Sequence, residues 1–285
     1  MLYQLERIEM NKKIILKIND PNNMQYPVNG FILGLDDFSV GFNKTVDVSS
    51  IKKIRKEYID KEIFVSLNRV VFNHELETYK SILKELDNIG LDGIIAGDVS
   101  ILTYNLKTNI ILDQMHLNNS YLSINHYYNN GCYGAYLTDD ITLSEINEIK
   151  KNTKAKLFKL VFGYSILSLS KRKLVSNYKE FFNKDYDSSS YFICENNSSN
   201  YYPIVENNFG TIILSSKPIN LLSIIDTLDV DYMVIDDYKI NKDISYVIEA
   251  FVKQDKSLNK KIDDDFLCDR GFIDKETIYR VKYDE

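Results

Sequence analysis

One alternation restricts the folds open to this chain. From residue 12 to residue 163, short apolar runs exchange with amphipathic stretches across short links. "KKIILKI" (12–18), "GFILGL" (30–35) and "EIFVSLN" (62–68) are short and rich in β-branched residues, and read as strands. "LDGIIAGDV" (91–99), "NIILDQM" (109–115), "YGAYLT" (133–138) and "AKLFKLVFG" (155–163) continue the series. Helical patterns lie between them. In 47–58, Asp47 or Ser49 can cap, and Val48, Ile51 and Ile54 share a face. In 74–90, Leu76, Tyr79, Ile82, Leu83 and Leu86 keep helical spacing and Gly90 is a stop. Two more helices are predicted over 120–131 and 142–153, the second opening on a capping box from Thr142 to Glu145. Apolar strands separated by helices indicate parallel βα units. Repeated this often, at roughly 20 to 30 residues each, they predict an α/β fold of the (β/α)8 TIM-like barrel type. No Gly-rich dinucleotide turn follows the first strand, which argues against a Rossmann sheet.

Past residue 178 the character changes. Residues 183–210 are polar and rich in Ser and Asn, and contain Pro203. They read as loops with a hairpin made by "YFICE" and "YYPIVEN". "GTIILSS" (210–216) is a strand, 220–230 a helix, "DYMVIDD" (231–237) a late strand, and 242–253 a final helix leading into a charged tail. The expectation is one barrel domain over 1–285, interrupted by a β-rich insertion before its last unit. A chain of 285 residues can bury one such core.

Composition bounds the location and the partners. No apolar run approaches the roughly 20 residues that cross a bilayer. The opening "MLYQLERIEMNKK" has no apolar stretch of the secretory kind. The expected place is the cytoplasm, with no membrane partner. A net charge of −6 excludes a wholly basic surface but leaves room for a local patch. Cys132, Cys194 and Cys268 are far apart and in no metal-ligand spacing, so reduced thiols are expected. Asn197 fits an N-x-S pattern, which carries no meaning in the cytoplasm.

Candidate site residues follow from the barrel. Asp98, Gln114, Asn119 and Asp140 sit just past strand ends, the rim where barrels build sites. The same residue types also cap helices and tie loops. Lys171, Arg172 and Lys173 lie beside Ser170 and Ser176; with Arg69 and His74 they can hold phosphate, or form a solvated loop. Tyr164 and Tyr178 can stack on bases. His116, next to Gln114, is a candidate proton donor near neutral pH. A hydrolase needs an activated nucleophile or a metal-bound water. The chain has no H-E-x-x-H, no G-x-S-x-G and no Cys–His pairing in its sequence pattern.

Four segments, in order, resemble the collagenase-like peptidase family U32. "LDGIIAGDVSIL" is similar to the family's "vDaiivgDlgv", with Asp98 at the acidic end. "DQMHLNNS" is similar to "tQmnvtNs", with Gln114 and Asn119 on matching positions. "GYSILSLSKRKLVSNY" resembles "GalCiaySGrCllSny", matching at Gly163, Ser170, Arg172, Ser176, Asn177 and Tyr178. "YYPIVENNFGTIILSSKPINLL" resembles "ypvvedeGtyifnskdLcll", and the tail "RGFIDKETIYRVK" resembles the endings of shorter members.

The resemblance implies a catalytic barrel. Some members are annotated proteases; others hydroxylate RNA or quinone precursors, including the tRNA wobble uridine, with prephenate-linked chemistry and an iron–sulfur cluster on four cysteines. Here the first cysteine pair falls on Ile166 and Lys173, the family's histidine on Phe162, and the later pair has no counterpart beyond Cys194. The family's Arg-Glu step is Asp139–Asp140. Thiolates hold such clusters, so no cofactor is expected. The expectation is a cluster-free member taking part in wobble-uridine hydroxylation, with tRNA as partner, alongside a cysteine-bearing relative. Asp98, Gln114 and His116 are its catalytic candidates. Asn119, Asp140, Arg172, Lys171, Ser176, Asn177 and Arg69 are its substrate contacts. A peptidase and a non-catalytic partner subunit are the alternatives.

Overall fold

The computed structural model describes residues 12–184, 191–194 and 199–275. Residues 1–11, 185–190, 195–198 with Asn197, and 276–285 lie outside the described residues.

Eight parallel strands close into a ring. The first seven, in chain order, are β1 (Lys13–Lys17), β2 (Gly30–Gly34), β3 (Glu62–Leu67), β4 (Gly93–Ala96), β5 (Ile110–Leu112), β6 (Gly134–Tyr136) and β7 (Lys156–Gly163), and the eighth is the last strand of the chain's described residues. The four short strands β8 (Ile166–Ser170), β9 (Tyr191–Cys194), β10 (Tyr201–Asn207) and β11 (Gly210–Leu214) follow, then β12 (Ile219–Asn220) and β13 (Tyr232–Asp236). Strand β13 pairs in parallel with β7 on one side and β1 on the other, and β6 pairs with β7, so the ring has no open edge. The predicted (β/α)8 barrel is therefore the observed fold, and each of its eight strands falls within a run legible in the sequence.

Helices α1 (Val48–Glu57), α2 (Leu76–Asp87), α3 (Tyr121–Asn129) and α4 (Leu143–Asn152) wrap the outside. Local sequence starts and stops them. The Asp47 carboxylate accepts from the Ser50 amide at 2.8 Å, Thr142 and Glu145 form a capping box, and Ser120 caps α3. After β4 and β13 the chain makes 3-10 turns or delays its helix. The expected helix over 220–230 is a single 3-10 turn, Leu222–Ile224; Leu221, Leu222, Ile225 and Leu228 are buried, and Asp226 and Thr227 are exposed. The charged stretch after α6 (Ser245–Lys253) folds as α7 (Asn259–Phe266), whose Ile262 and Phe266 supply a buried stripe at i, i+4.

The inside of the barrel is filled, not hollow. Ile15, Ile32, Phe64, Ile95, Ile111, Phe158, Tyr232 and Val234 form its plug, and the Phe158 and Tyr232 rings stack at 4.2 Å. Fully burying each such side chain is worth about 1.5–3 kcal/mol. A larger apolar layer lies between the strands and the helices.

The β-rich insertion is an antiparallel sheet ordered β8-β11-β10-β9, with α5 (Leu174–Phe181) crossing it. It begins at the end of β7, earlier than the polar stretch alone suggests. Gly163 permits the exit: its φ is +129°, and a Cβ there would come within 2.3 Å of the Asp236 carbonyl oxygen. Ile212 and Leu214 of β11 pack with Val40 and Tyr238, which seats the sheet over the barrel's C-terminal end.

Candidate active site at the barrel mouth

The eight strands deliver polar side chains to one end. Lys17 ends β1, Asn68 follows β3, Asp113 follows β5, Tyr136 ends β6 and Asp236 ends β13. They line a cavity of about 330 Å³, roofed by Ile166 and Leu169 of β8 and Tyr202 of β10. Its size sits at the low end of ligand pockets, room for one small ring system.

A buried ion pair forms the floor. Lys17 Nζ is 2.6 Å from Asp236 Oδ2, and the two side chains are 12% and 8% exposed. Asp236 Oδ1 accepts from Asn19 at 3.0 Å and from the Tyr238 amide at 2.9 Å. Asn19 also donates to Asp237 at 2.6 Å. Burial raises the Asp237 carboxyl above its usual range. The same cause, burial, raises Asp113, against the opposing pull of the Met115 amide, Lys17 and Asn68. Asn68 is itself fixed, exchanging two bonds with the Val40 main chain at 2.9 and 3.2 Å. Tyr136 is held as a neutral phenol, its ionisation pushed up by burial and by Asp139, Asp113 and Asp236. The mouth thus combines a carboxyl biased toward its protonated form with a neutral phenol and a compensated lysine. Such a set can donate hydrogen bonds to a carbonyl oxygen and move a proton at it.

A second buried pair supports the rim from outside. Lys159, 1% exposed, runs up to the loop after β6, where Nζ meets the Thr138 carbonyl at 2.7 Å and Asp139 Oδ1 at 2.5 Å. Asn118, fully buried, donates to the Leu112 and Tyr136 carbonyls at 2.8 and 2.9 Å and so ties the ends of β5 and β6.

The residues singled out from the sequence divide into three groups. His116 and Asp140 reach the cavity wall; His116 Nδ1 is 3.4 Å from Asp140 Oδ2, and Nε2 is 3.1 Å from the Leu167 carbonyl of β8. Asn119 lies behind them, donating to the His116 carbonyl at 3.3 Å. Gln114 and Asp98 stand off the cavity wall. Gln114 buries Oε1 without a partner, and Asp98 accepts from the Ser100 amide to cap a 3-10 turn. The third group sits on the insertion or its seam. Arg69, buried, pairs with Glu75 at 2.7 Å and lies between the Phe38 and Phe209 rings. Lys171 reaches the same Glu75 at 3.4 Å over the Phe72 ring. Ser176 bonds Glu206, whereas Arg172 and Asn177 are exposed.

Sequence reasoning passed over Lys17, Asn68, Asp113, Tyr136 and Asp236. The signal was present: each is a polar residue at or just past the C-terminal end of an apolar run. Gln114 and Asp113 are neighbours, and the direction of one turn decides between them. Met115 adopts φ +53°, a left-handed conformation for a long side chain, and the turn leaves Asp113 facing the mouth.

The described residues do not fit a four-thiolate cluster. Ile166 is in the cavity roof, Lys173 is exposed, and Phe162 is buried against Phe266 at 5.4 Å. The Cys132 thiol is buried in the barrel wall and bonds the Ile110 and Gly134 carbonyls. Burial, with Asp263 and Asp269 nearby, pushes the Cys268 thiol up to about 12, which opposes the thiolate a metal requires. Among the described residues, no group of three His, Cys, Asp or Glu is placed to hold a metal ion, and no helix is long and apolar enough to cross a membrane.

Comparisons with known proteins agree with this architecture. The profile described as Peptidase family U32 matches residues 23–264. The tRNA hydroxylation protein P2 of Bacillus subtilis (strain 168) is 26% identical over 204 residues, 66% of this chain and 65% of that protein. The chain's match therefore spans just under two thirds of that relative. The structure of the U32 peptidase Mk0906 superposes with a TM-score of 0.50 at 11% identity, covering 79% of this chain and 92% of that one.

Proposed function

The chain belongs to peptidase family U32, and on that premise we propose that it takes part in tRNA modification, as a uridine-hydroxylation protein without a cluster of its own. The observation that carries this reading is the match to a protein named for tRNA hydroxylation. The barrel mouth is consistent with it. A cavity of about 330 Å³ suits a single extruded base, and its wall carries the polar side chains Lys17, Asn68, Asp113, Tyr136 and Asp236. Tyr136 would be a neutral donor to a pyrimidine carbonyl oxygen, with Asp113 beside it; the Lys17–Asp236 pair would hold the floor rigid and charge-balanced. A peptidase reading draws on the family's name alone. His116 meets Asp140 and a main-chain carbonyl, not a serine or cysteine.

The test is genetic and chemical. Deleting the gene in its host should remove hydroxyuridine derivatives from bulk tRNA, as read by nucleoside mass spectrometry. The wild-type gene should restore them and Asp113→Asn should not. An unchanged nucleoside profile in the deletion strain refutes the proposal, and cleavage of unstructured protein by the purified chain would favour the peptidase.

A further inference from the structure

The insertion carries a surface that the barrel cavity does not use. On α5, Tyr178, Phe181 and Phe182 are exposed, Phe181 to 81%. Their rings adjoin: Tyr178 and Phe182 are 4.6 Å apart, Phe181 and Phe182 4.9 Å. The patch continues onto the sheet edge. Lys179 Nζ lies 5.0 Å over the Tyr191 ring of β9, whereas the exposed Phe192 and Tyr201 rings, 6.5 Å apart, belong to the opposite face of the sheet. Single exposed apolar side chains are ordinary, but a contiguous run of them marks a contact surface.

Charge indicates what contacts it. Residues 171–184 hold five basic side chains (Lys171, Arg172, Lys173, Lys179, Lys184) and one acidic, Glu180, in a chain of net −6. Lys171 is committed to Glu75, but Arg172 and Lys173 are exposed at the start of α5. A local basic segment on an acidic protein selects a polyanion. Basic side chains interleaved with exposed rings are what a flexible single strand needs: phosphates on the cations, bases on the rings. Strand β10 connects this surface with the cavity. Tyr191 pairs with Ile204, so it shares the sheet face of Tyr202, which lines the mouth.

We propose that α5 and the adjoining Tyr191 face of β9 form a platform for single-stranded RNA, which rests on the RNA reading above and locates where that RNA lies. A looped strand held on α5 would present one unstacked base along the Tyr191–Tyr202 face to the barrel mouth.

Binding of the full-length protein to an unmodified tRNA transcript with a wobble uridine, followed across a salt series, tests this. Arg172→Glu with Lys173→Glu should weaken binding at least tenfold and reduce the salt slope by about 2. Phe181→Ala with Phe182→Ala should weaken binding roughly tenfold with the slope unchanged, because stacking releases no counterions. Lys53→Glu with Lys56→Glu, a charge-matched change on α1, should bind as wild type. If wild type binds tRNA and both patch variants bind equally well, the platform is refuted while the RNA reading stands. If wild type binds no tRNA, both fall. If the patch variants change only the oligomeric state seen by light scattering, the surface is a protein interface and the platform is overturned.

Discussion

Lys17 and Asp113 face one cavity in opposite electrostatic circumstances. Lys17 is compensated by Asp236 at 2.6 Å, and removing it would leave a carboxylate buried without its cation. Lys17→Met is therefore expected to cost roughly 3 kcal/mol in chemical denaturation. Asp113 is different, because burial, with the Asp139 charge adding to it, disfavours its charge. Its folded-state titration is raised, so its contribution is full below the unfolded pKa and is lost as pH rises through the folded one. At neutral pH the charged form is a liability, and Asp113→Asn should raise stability by about 1 kcal/mol while abolishing restoration of modified nucleosides in a deletion strain. A destabilised Asp113→Asn protein would show that the carboxylate is compensated by a group other than those described.

Elements join the insertion to the barrel through one clamp and one pivot. Glu75 receives Arg69 from the end of β3 and Lys171 from the end of β8, and the Arg69 hydrogen bond comes first among the causes that hold its carboxyl down at about 2. A depressed carboxylate stabilises above its unfolded pKa near 4.5 and loses that contribution as pH falls toward 2. The clamp is partly solvated, so its worth is on the order of 1 to 2 kcal/mol after screening. Limited proteolysis should therefore cut the insertion faster as pH drops through that window, and Glu75→Gln should show the faster cutting at neutral pH. At the pivot, Gly163→Ala would force a Cβ to 2.3 Å from the Asp236 carbonyl oxygen at φ +129°. Loss of several kcal/mol or of soluble protein is expected, measured by thermal unfolding. The elements were legible for a physical reason. Parallel strands buried on both faces read as unbroken apolar runs, and the caps at Asp47, Ser120 and Thr142 obey local rules. The clamp was not legible as a clamp. Arg69 and Lys171 are about 100 residues apart in sequence, and both resemble phosphate ligands until Glu75 is seen between them.

For the whole molecule, a closed barrel with an insertion over its C-terminal mouth puts the cavity and the added sheet at one end. The interior of that end could not be read from sequence. Which of two adjacent polar residues faces inward depends on pleat, on the register shift where β13 meets β7, and on the left-handed turn at Met115. The absence of matched sulfur positions was legible, because isoleucine, lysine and phenylalanine cannot ligate iron. Purified protein is accordingly expected to contain no stoichiometric iron by metal analysis. The proposed role in tRNA hydroxylation rests on the barrel mouth. Nucleoside mass spectrometry of tRNA from the deletion strain, carrying either the wild-type gene or Asp113→Asn, tests it most directly. Hydroxyuridine derivatives should vanish on deletion, return with wild type and stay absent with Asp113→Asn at equal protein level. Full modification in the deletion strain, or full restoration by Asp113→Asn, would contradict it.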